Sequence, residues 1–342
     1  FESTMKWGCK GFTIYNKMYM PTHYQSYVDD YWSLVNDVTL WDVAGERQIE
    51  IIGKDAEKFV EYITPRDISK CKVGQCMYIH LTEKNGGIVN DPVLLKLAEN
   101  HFWLSIADSD VLLWCLGIAS SNKFDINLCE PDVSPLSLQG PKATDVMVKV
   151  SGVWVKNLKF FYFKEDFIQN IPVIIARSGW SGESGYEIYL RDGTKGNILW
   201  KIFMDSGQEF KIAPAAPSQI NRIECGMLSY GSDITLNENP FDISMDNDDD
   251  VAGFQCGEGV NCYADVIEPP DGQGPEVMLY FPHPEWENPL GTDFINYTRD
   301  IRELTDLSNF QPSKVWDAVF SSDIENKYIT LSFNFINQST LD

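Results

Sequence analysis

Hydrophobic and polar positions along the chain follow two periods, and the repeated switch between them predicts an α+β protein. Arg47–Ile52 alternates as a strand. Gly53-Lys54-Asp55 turns it into a helix with Ala56, Phe59, Val60 and Ile63 as its apolar stripe and Pro65 as its stop. Cys76–Leu81 and Ile88–Leu97 read as strands joined by a turn at Asn85-Gly86-Gly87, with Pro92 marking an edge or bulge in the second. Phe102–Ile106 is another strand, and Asp108 is expected to cap a helix running to about Ser120. Ser134–Gln139 then reads as a strand, followed by Gly140-Pro141-Lys142 and a helix with Ala143, Val146, Met147 and Val150 inside. Val173–Ala176 and Tyr186–Leu190 read as strands flanking a glycine-rich turn. Asn197–Asp205, Ala216–Met227 and Val28–Val38 read as helices. Lys159–Lys164 is a strand or loop of stacked aromatics.

Two of these units match. IEIIGKDAEKFVEYI (49–63) and PLSLQGPKATDVMVK (135–149) share strand, glycine, short turn, alanine and amphipathic helix, 87 residues apart measured from glycine to glycine. The match predicts two α+β halves facing each other across a cleft; the alternative is that any two strand–helix units look alike. The expected layout is a first lobe over 1–134 with an aromatic N-terminal extension, a second over 135–245, and a small β-rich domain over 246–342. In the last, Val277–Phe281, Val315–Phe320 and Tyr328–Phe335 read as strands, and Asp248-Asp249-Asp250 reads as the boundary loop.

Composition narrows the function. With 342 residues, 44% of them hydrophobic, the chain can build two or three real cores. The formal net charge is −23, and residues 246–342 hold nineteen acids against four bases. Such a field opposes nucleic-acid binding and favours cationic or zwitterionic partners, unless it serves solubility in salt. Eight scattered cysteines form no CxxC pair, so no metal is expected, and reduced thiols fit a cytoplasmic location. No apolar run of spanning length is present and Phe1 opens no signal-like pattern, so neither a membrane span nor a signal peptide is expected.

Candidate chemistry centres on ARSGWSGESGYEIYL (176–190). Gly179, Gly182 and Gly185 could let backbone approach a flat ligand. Trp180 could stack on a heterocycle, and Glu187 could accept a pair of N–H donors. On residue types alone the stretch also reads as a plain hairpin with a packing tryptophan and a solvated glutamate. Its company decides otherwise. KGFTIYNKMYMPT (10–22), LWDVAGERQIEI (40–51), ITPRDIS (63–69), NGGIVNDPVLLKL (85–97), WLSIADSDV (103–111), LQGPKA (138–143), the 176–189 stretch and RIECGMLSYGSDITLNENPFD (222–242) together resemble the tetrahydrofolate-dependent aminomethyltransferase family, the glycine-cleavage T-protein group.

The resemblance implies a T-protein-like fold of two intertwined lobes around a folate cleft. It implies tetrahydrofolate as cofactor, with Asp91 as the catalytic and folate-orienting acid and Glu187 on the pterin. Trp180, Phe161, Tyr162 and Arg222 would lie beside them. Asn90 replaces the first of the family's paired acids, and Trp180-Ser181-Gly182-Glu183 stands where Tyr-Thr-Gly-Glu is usual. Both departures point away from glycine cleavage, toward the family's branch that demethylates a sulfonium, dimethylsulfoniopropionate. For a sulfonium substrate, Trp7, Phe12, Tyr15, Tyr19, Trp32 and Trp41 are the candidate aromatic partners, and Lys17 and Arg47 the candidate partners for its carboxylate. For any one aromatic, core packing is the simpler role. Glycine-cleavage aminomethyl transfer and folate binding without turnover are the other readings, and a homodimer is a further expectation.

Overall fold

The computed structural model describes residues 1–240, together with the backbone of three short strands further on. The chain divides into two compact units, Phe1–Ile267 and Glu268–Asp342. In the second, Val277–Pro282 pairs antiparallel with Asn296–Tyr297 on one side and Val319–Ser322 on the other. The expected Tyr328–Phe335 strand and the Asp248–Asp250 boundary loop lie outside the described residues.

The first unit is α+β, built on two antiparallel-rich sheets. One has five strands in the order Asn127–Cys129, Gln48–Ile52, His101–Ser105, Val93–Ala98 and Cys76–Tyr78. The other has six: Phe163–Ile168, Ile171–Ala176, Gly185–Leu190, Ser134–Gln139, Val38–Asp42 and Ile212–Ala215. Val38–Asp42 comes from the N-terminal stretch read as part of the first lobe, yet it lies inside the second sheet. It pairs antiparallel with Ser134–Gln139 and parallel with Ile212–Ala215. The lobes are therefore intertwined. Pro214 is tolerated because its strand is at the sheet edge, where a missing N–H breaks no ladder.

Each sheet packs helices on one face. Helices Ala56–Ile63 and Val111–Asn122 cover Ile49, Ile51, Leu94, Phe102 and Leu104 of the first. Helices Ala143–Ser151 and Gly196–Ser206 cover Val173, Ile175, Tyr186, Ile188 and Leu190 of the second. The opposite faces meet in a third cluster: Cys76, Leu95 and Trp103 against Phe163, Ile174, Ala176 and Tyr189. Side chains alternate along a strand, so Glu187 and Tyr189 point toward this meeting face while Tyr186 and Ile188 point to the helices.

The duplicated unit is present in three dimensions. Gly53 has φ +150° and Gly140 φ +125°, and each carbonyl accepts the N–H of the first helical residue, Ala56 at 3.0 Å and Ala143 at 2.9 Å. A Cβ would lie 2.4 Å from the Asp125 carbonyl oxygen at Gly53 and 2.7 Å from that of Asp37 at Gly140. Both turns need glycine, for conformation and for close approach.

Three elements differ from the sequence reading. The helix expected from Asp108 begins after Asp110, and Asp108 instead accepts the Asn16 N–H at 2.9 Å. Ala216–Met227 is helical only over Gln219–Glu224, with Ser218 as its N-cap and Gly226 at φ +66° just beyond it. Residues 11–23 form a hairpin, Gly11–Tyr15 with Met18–His23, turned at Asn16 and Lys17, both of positive φ. The Asn16 side chain pins that turn: its amide donates to the Gly45 carbonyl at 2.9 Å and accepts the Ser109 N–H at 3.1 Å. No helix among the described residues is long and apolar enough to cross a membrane.

Candidate active site

A cavity of about 740 Å³ opens in the first unit, of a size for a drug-sized ligand. The hairpin contributes Tyr15, Met20 and Thr22 to its wall. The first sheet and its loops contribute Glu46, Tyr78, Asp91, Ser105 and Asp108. The second sheet and its loops contribute Trp41, Phe161, Ser178, Trp180 and Glu187. Asp91 and Glu187, 96 positions apart in the chain, thus share one chamber.

Glu187 sits on a central strand whose six residues are all buried. Ser178 Oγ donates to its Oε2 at 2.5 Å and the Tyr189 hydroxyl donates to the same atom at 3.1 Å. Its Oε1 is left for the cavity. Burial raises its pKa against those two hydrogen bonds. The glycine-rich turn is held from behind by Gln139, which accepts from Ser181 Oγ at 2.6 Å and donates to the Ser178 carbonyl at 3.2 Å. A Cβ at Gly179 or Gly185 would collide with that amide at 2.2 and 2.1 Å. Those two glycines therefore serve packing, and Glu187 is a buried group rather than a solvated one.

Asp91 lies in the break between strands Ile88–Asn90 and Val93–Ala98, where Pro92 interrupts the ladder. The Tyr78 hydroxyl donates to its Oδ2 at 3.0 Å. Burial pushes its pKa up to about 7 in spite of that bond. Phe161 is held at φ +56° by two backbone bonds, accepting from Cys76 N–H at 2.7 Å and donating to the Arg177 carbonyl at 2.9 Å. A non-glycine residue in this region costs of order 1–2 kcal/mol, and here it stands in the cavity wall.

The remaining sequence candidates divide. Tyr15, Trp41 and Trp180 line the cavity. Tyr162 pairs by its backbone with Gln75 and is not in the wall. Arg222 is buried behind it, with its guanidinium 5.9 Å from the Trp180 ring centre and its donors on Asp233, Gln219 and the Met227 carbonyl. It therefore acts on the cavity through Trp180. Phe12 and Tyr19 form an outer aromatic cluster with Phe1, while Trp7 is exposed and Trp32 packs edge-on against Tyr31. Lys17 and Arg47 line a smaller cleft, where they pair with Asp110 and Glu130. Neither reaches the main cavity wall, so neither is placed to receive a carboxylate there. Asn90 does not reach it either. Its amide donates to the Ala107 carbonyl at 3.1 Å and Ser109 Oγ at 2.8 Å and accepts the Ala107 N–H at 3.2 Å. It braces the loop carrying Asp108, a task an aspartate could not perform as a donor.

Sequence reasoning missed Glu46, Tyr78, Ser178 and Asp108. Glu46 lies beside Glu187 and keeps residual exposure toward the cavity; burial first, and the Glu187 carboxylate second, push it up to about 8. Its place just before an alternating strand, within LWDVAGERQIEI, was the one available signal. In all, five carboxyl groups (Asp30, Glu46, Asp91, Asp108 and Glu187) line the cavity, and no lysine, arginine or histidine does among the described residues. Tyr15, Tyr27, Tyr31, Trp41, Tyr78, Phe161, Trp180 and Tyr230 complete an aromatic, anionic chamber.

The family model described as the GCVT N-terminal domain matches residues 1–247. The chain belongs to this family. Within it, the chain is 42% identical over 238 residues to a protein of Ruegeria pomeroyi named dimethylsulfoniopropionate demethylase DmdA, covering 70% of this chain and 65% of that one. It is 30% identical over 229 residues to an aminomethyltransferase of Alkaliphilus metalliredigens, covering 65% and 62% respectively. The solved structure of the glycine cleavage system aminomethyltransferase T from Bartonella henselae superposes with a TM-score of 0.62 at 27% identity, covering 70% of this chain and 65% of that one. The matched region spans a little under two thirds of each of these relatives. The family membership agrees with the resemblance carried by the motifs, and the superposition with the expected two-lobed fold.

Proposed function

We propose that the chain is a tetrahydrofolate-dependent methyltransferase that demethylates dimethylsulfoniopropionate, giving 5-methyltetrahydrofolate and methylmercaptopropionate. The observation that carries this reading is the chamber's chemistry: aromatic faces and five carboxyl groups, with no cationic side chain in its wall among the described residues. A positively charged sulfonium centre is favoured there, and the uncharged pterin head of a folate is not repelled. A cation against an aromatic face gains about 2 kcal/mol when desolvated. The demethylase named among the relatives supports the same substrate class.

The chamber also fits a reduced folate. Glu187 offers a buried carboxylate oxygen without a protein partner to the N–H donors of a pterin edge, while Ser178 and Tyr189 fix its orientation through the other oxygen. Trp180, backed by Arg222, supplies a flat wall. When bound, the folate supplies N5 as methyl acceptor. Asp91 lines the cavity with its carboxyl held by the Tyr78 hydroxyl and by its own backbone N–H, and a pKa near neutrality suits it to orient the folate and to take up the proton released at N5. Because the leaving group is a neutral thioether, the protein's main contribution is alignment and exclusion of water. Alignment of two reactants supplies about 7–11 kcal/mol of barrier reduction.

The second reading is aminomethyl transfer, supported by the aminomethyltransferase relatives and by the superposed structure. Asn90 is not in the chamber wall, so the residues that would choose between the two substrates are those that line it. The deciding experiment mixes protein, tetrahydrofolate and dimethylsulfoniopropionate under anaerobic, reducing conditions with mass detection of the folate. Formation of 5-methyltetrahydrofolate supports the first reading. Its absence, together with ammonia release from an aminomethyl-lipoyl donor, replaces it with the second.

A further inference from the structure

Of the five carboxyl groups in the chamber wall, four are engaged by protein donors. Asp30 accepts the backbone N–H groups of Tyr24 at 2.7 Å and Gln25 at 3.1 Å. Asp108 accepts from Asn16, Asp91 from Tyr78, and Glu187 from Ser178 and Tyr189. Glu46 is the exception. Among the described residues none donates a hydrogen bond to its carboxyl or pairs with it as a cation, and the like charge of Glu187 stands beside it. A half-buried carboxyl that opens only onto a cavity and has no protein partner is costly to keep ionised, so such a group is either idle or reserved for a ligand.

Three surroundings argue for a ligand. Glu46 opens onto the cavity. Glu46, Asp91 and Asp108 share the wall with the half-buried Tyr15, and the field of all three opposes ionisation of that phenol. Among the described residues no cation stands in the wall to neutralise them. A compact positive group between Tyr15 and Glu46 would meet an aromatic face on one side and an unclaimed carboxylate on the other.

We propose that Glu46 is a specificity-determining residue of this chamber, selecting methyl donors that carry a positively charged centre over molecules of the same shape that lack it. The inference rests on the proposed methyl-transfer reading and names the group that would read the substrate's charge. Binding of the cation would draw Glu46 into its ionised form, releasing the proton that the Glu46–Glu187 pair otherwise retains. No bond to the substrate is made, so Glu46 positions and selects rather than reacts.

The test compares the full chain with Glu46→Gln, which keeps shape, and Glu46→Asp, which keeps charge. The probes are dimethylsulfoniopropionate and its carbon isostere, 4-methylpentanoate, which keeps the carboxylate and the shape but lacks the positive charge, each titrated by calorimetry. The wild type is expected to bind the sulfonium at least about tenfold more tightly than the isostere. Glu46→Gln should shrink that ratio by about tenfold through weaker sulfonium binding, with the isostere's affinity within about twofold, and Glu46→Asp should restore part of the ratio. A merely structural role would move both affinities together. A wild type that does not distinguish the probes, or a Glu46→Gln variant that keeps the wild-type ratio, overturns the proposal. Methyl transfer is read separately as 5-methyltetrahydrofolate. Its absence in a wild type that still discriminates would remove the reaction while leaving the charge selection by Glu46 standing.

Discussion

Replacing Glu187 by glutamine isolates the group on which folate binding is argued to rest. In the native chain Oε2 takes both protein hydrogen bonds, at 2.5 Å from Ser178 Oγ and 3.1 Å from the Tyr189 hydroxyl, and Oε1 faces the cavity. The glutamine carbonyl can accept from the same two hydroxyls, which leaves its NH₂ where Oε1 stood. A pterin edge would then bring donors against a donor. Loss of one partner in a buried, charged hydrogen-bonded contact costs about 2–5 kcal/mol, and each 1.4 kcal/mol is about tenfold in Kd. The expected loss of tetrahydrofolate affinity is therefore roughly 30-fold or more. Alanine at this position would confuse the result, because it strands two buried hydroxyls at about 1–3 kcal/mol each. Glutamine should leave the melting midpoint nearly unchanged and, by removing a like charge, make Glu46 easier to ionise. The assay is an anaerobic titration of intrinsic tryptophan fluorescence with tetrahydrofolate, beside a calorimetric titration with dimethylsulfoniopropionate. Folate affinity within threefold of wild type, or an equal loss for both ligands, would refute the assignment of Glu187 to the pterin.

Gly53→Ala and Gly140→Ala should each destabilise the chain by about 2–4 kcal/mol, read by denaturant unfolding, because each adds a Cβ against a backbone oxygen in a left-handed turn. Lys17→Ala and Arg47→Ala should leave kcat and KM for methyl transfer within about twofold, since both side chains pair with acids in the smaller cleft; surface pairs of this kind contribute about 0–1 kcal/mol. Ligand-free stability should fall as pH rises from about 6.5 to 8.5. Glu46, Asp91, Glu183 and Glu224 have folded values raised to about 8, 7, 7 and 7. Their stabilisation is complete below the unfolded carboxylate range near 4 and is lost as pH passes their folded values, by at most about 1.4 kcal/mol per pH unit for each group. His80, held down to about 4 by burial, opposes this slope only until the unfolded imidazole, with its pKa near 6.5, has lost its proton, which is nearly complete by about pH 7.5. Thermal melts that are flat or rise across the window would contradict the burial of these acids.

Much of this architecture was written locally in the sequence. The glycine turns at Gly53 and Gly140 impose the same strand-to-helix geometry twice, and the motif drew two facing halves from it. The strand Tyr186–Leu190 was equally visible, but the burial of Glu187 was not. That burial depends on neighbours Ile171–Ala176 and Ser134–Gln139 covering both edges of its strand, which a local pattern does not encode. Val38–Asp42 was hidden by its position just after a helix, where apolar residues read as the helix's continuation. Ala216–Met227 reads as one long helix from its apolar spacing, but Ser218 caps it late and Gly226 stops it early. Lys17 and Arg47 had the charge wanted for a carboxylate, but their partners Asp110 and Glu130 lie 93 and 83 positions away. Glu46 failed to stand out for the opposite reason: a carboxylate before a strand is ordinarily solvated, and only the arrival of Glu187 and Tyr15 encloses it.

The central claim, that one chamber grips a reduced pterin beside a cationic methyl donor, is tested most directly by a crystal structure of the chain with tetrahydrofolate bound. The account expects the pterin edge within hydrogen-bonding distance of Glu187, and N5 facing the space bounded by Tyr15, Glu46 and Asp91. A pterin bound elsewhere, or one whose N5 points away from that space, would contradict it.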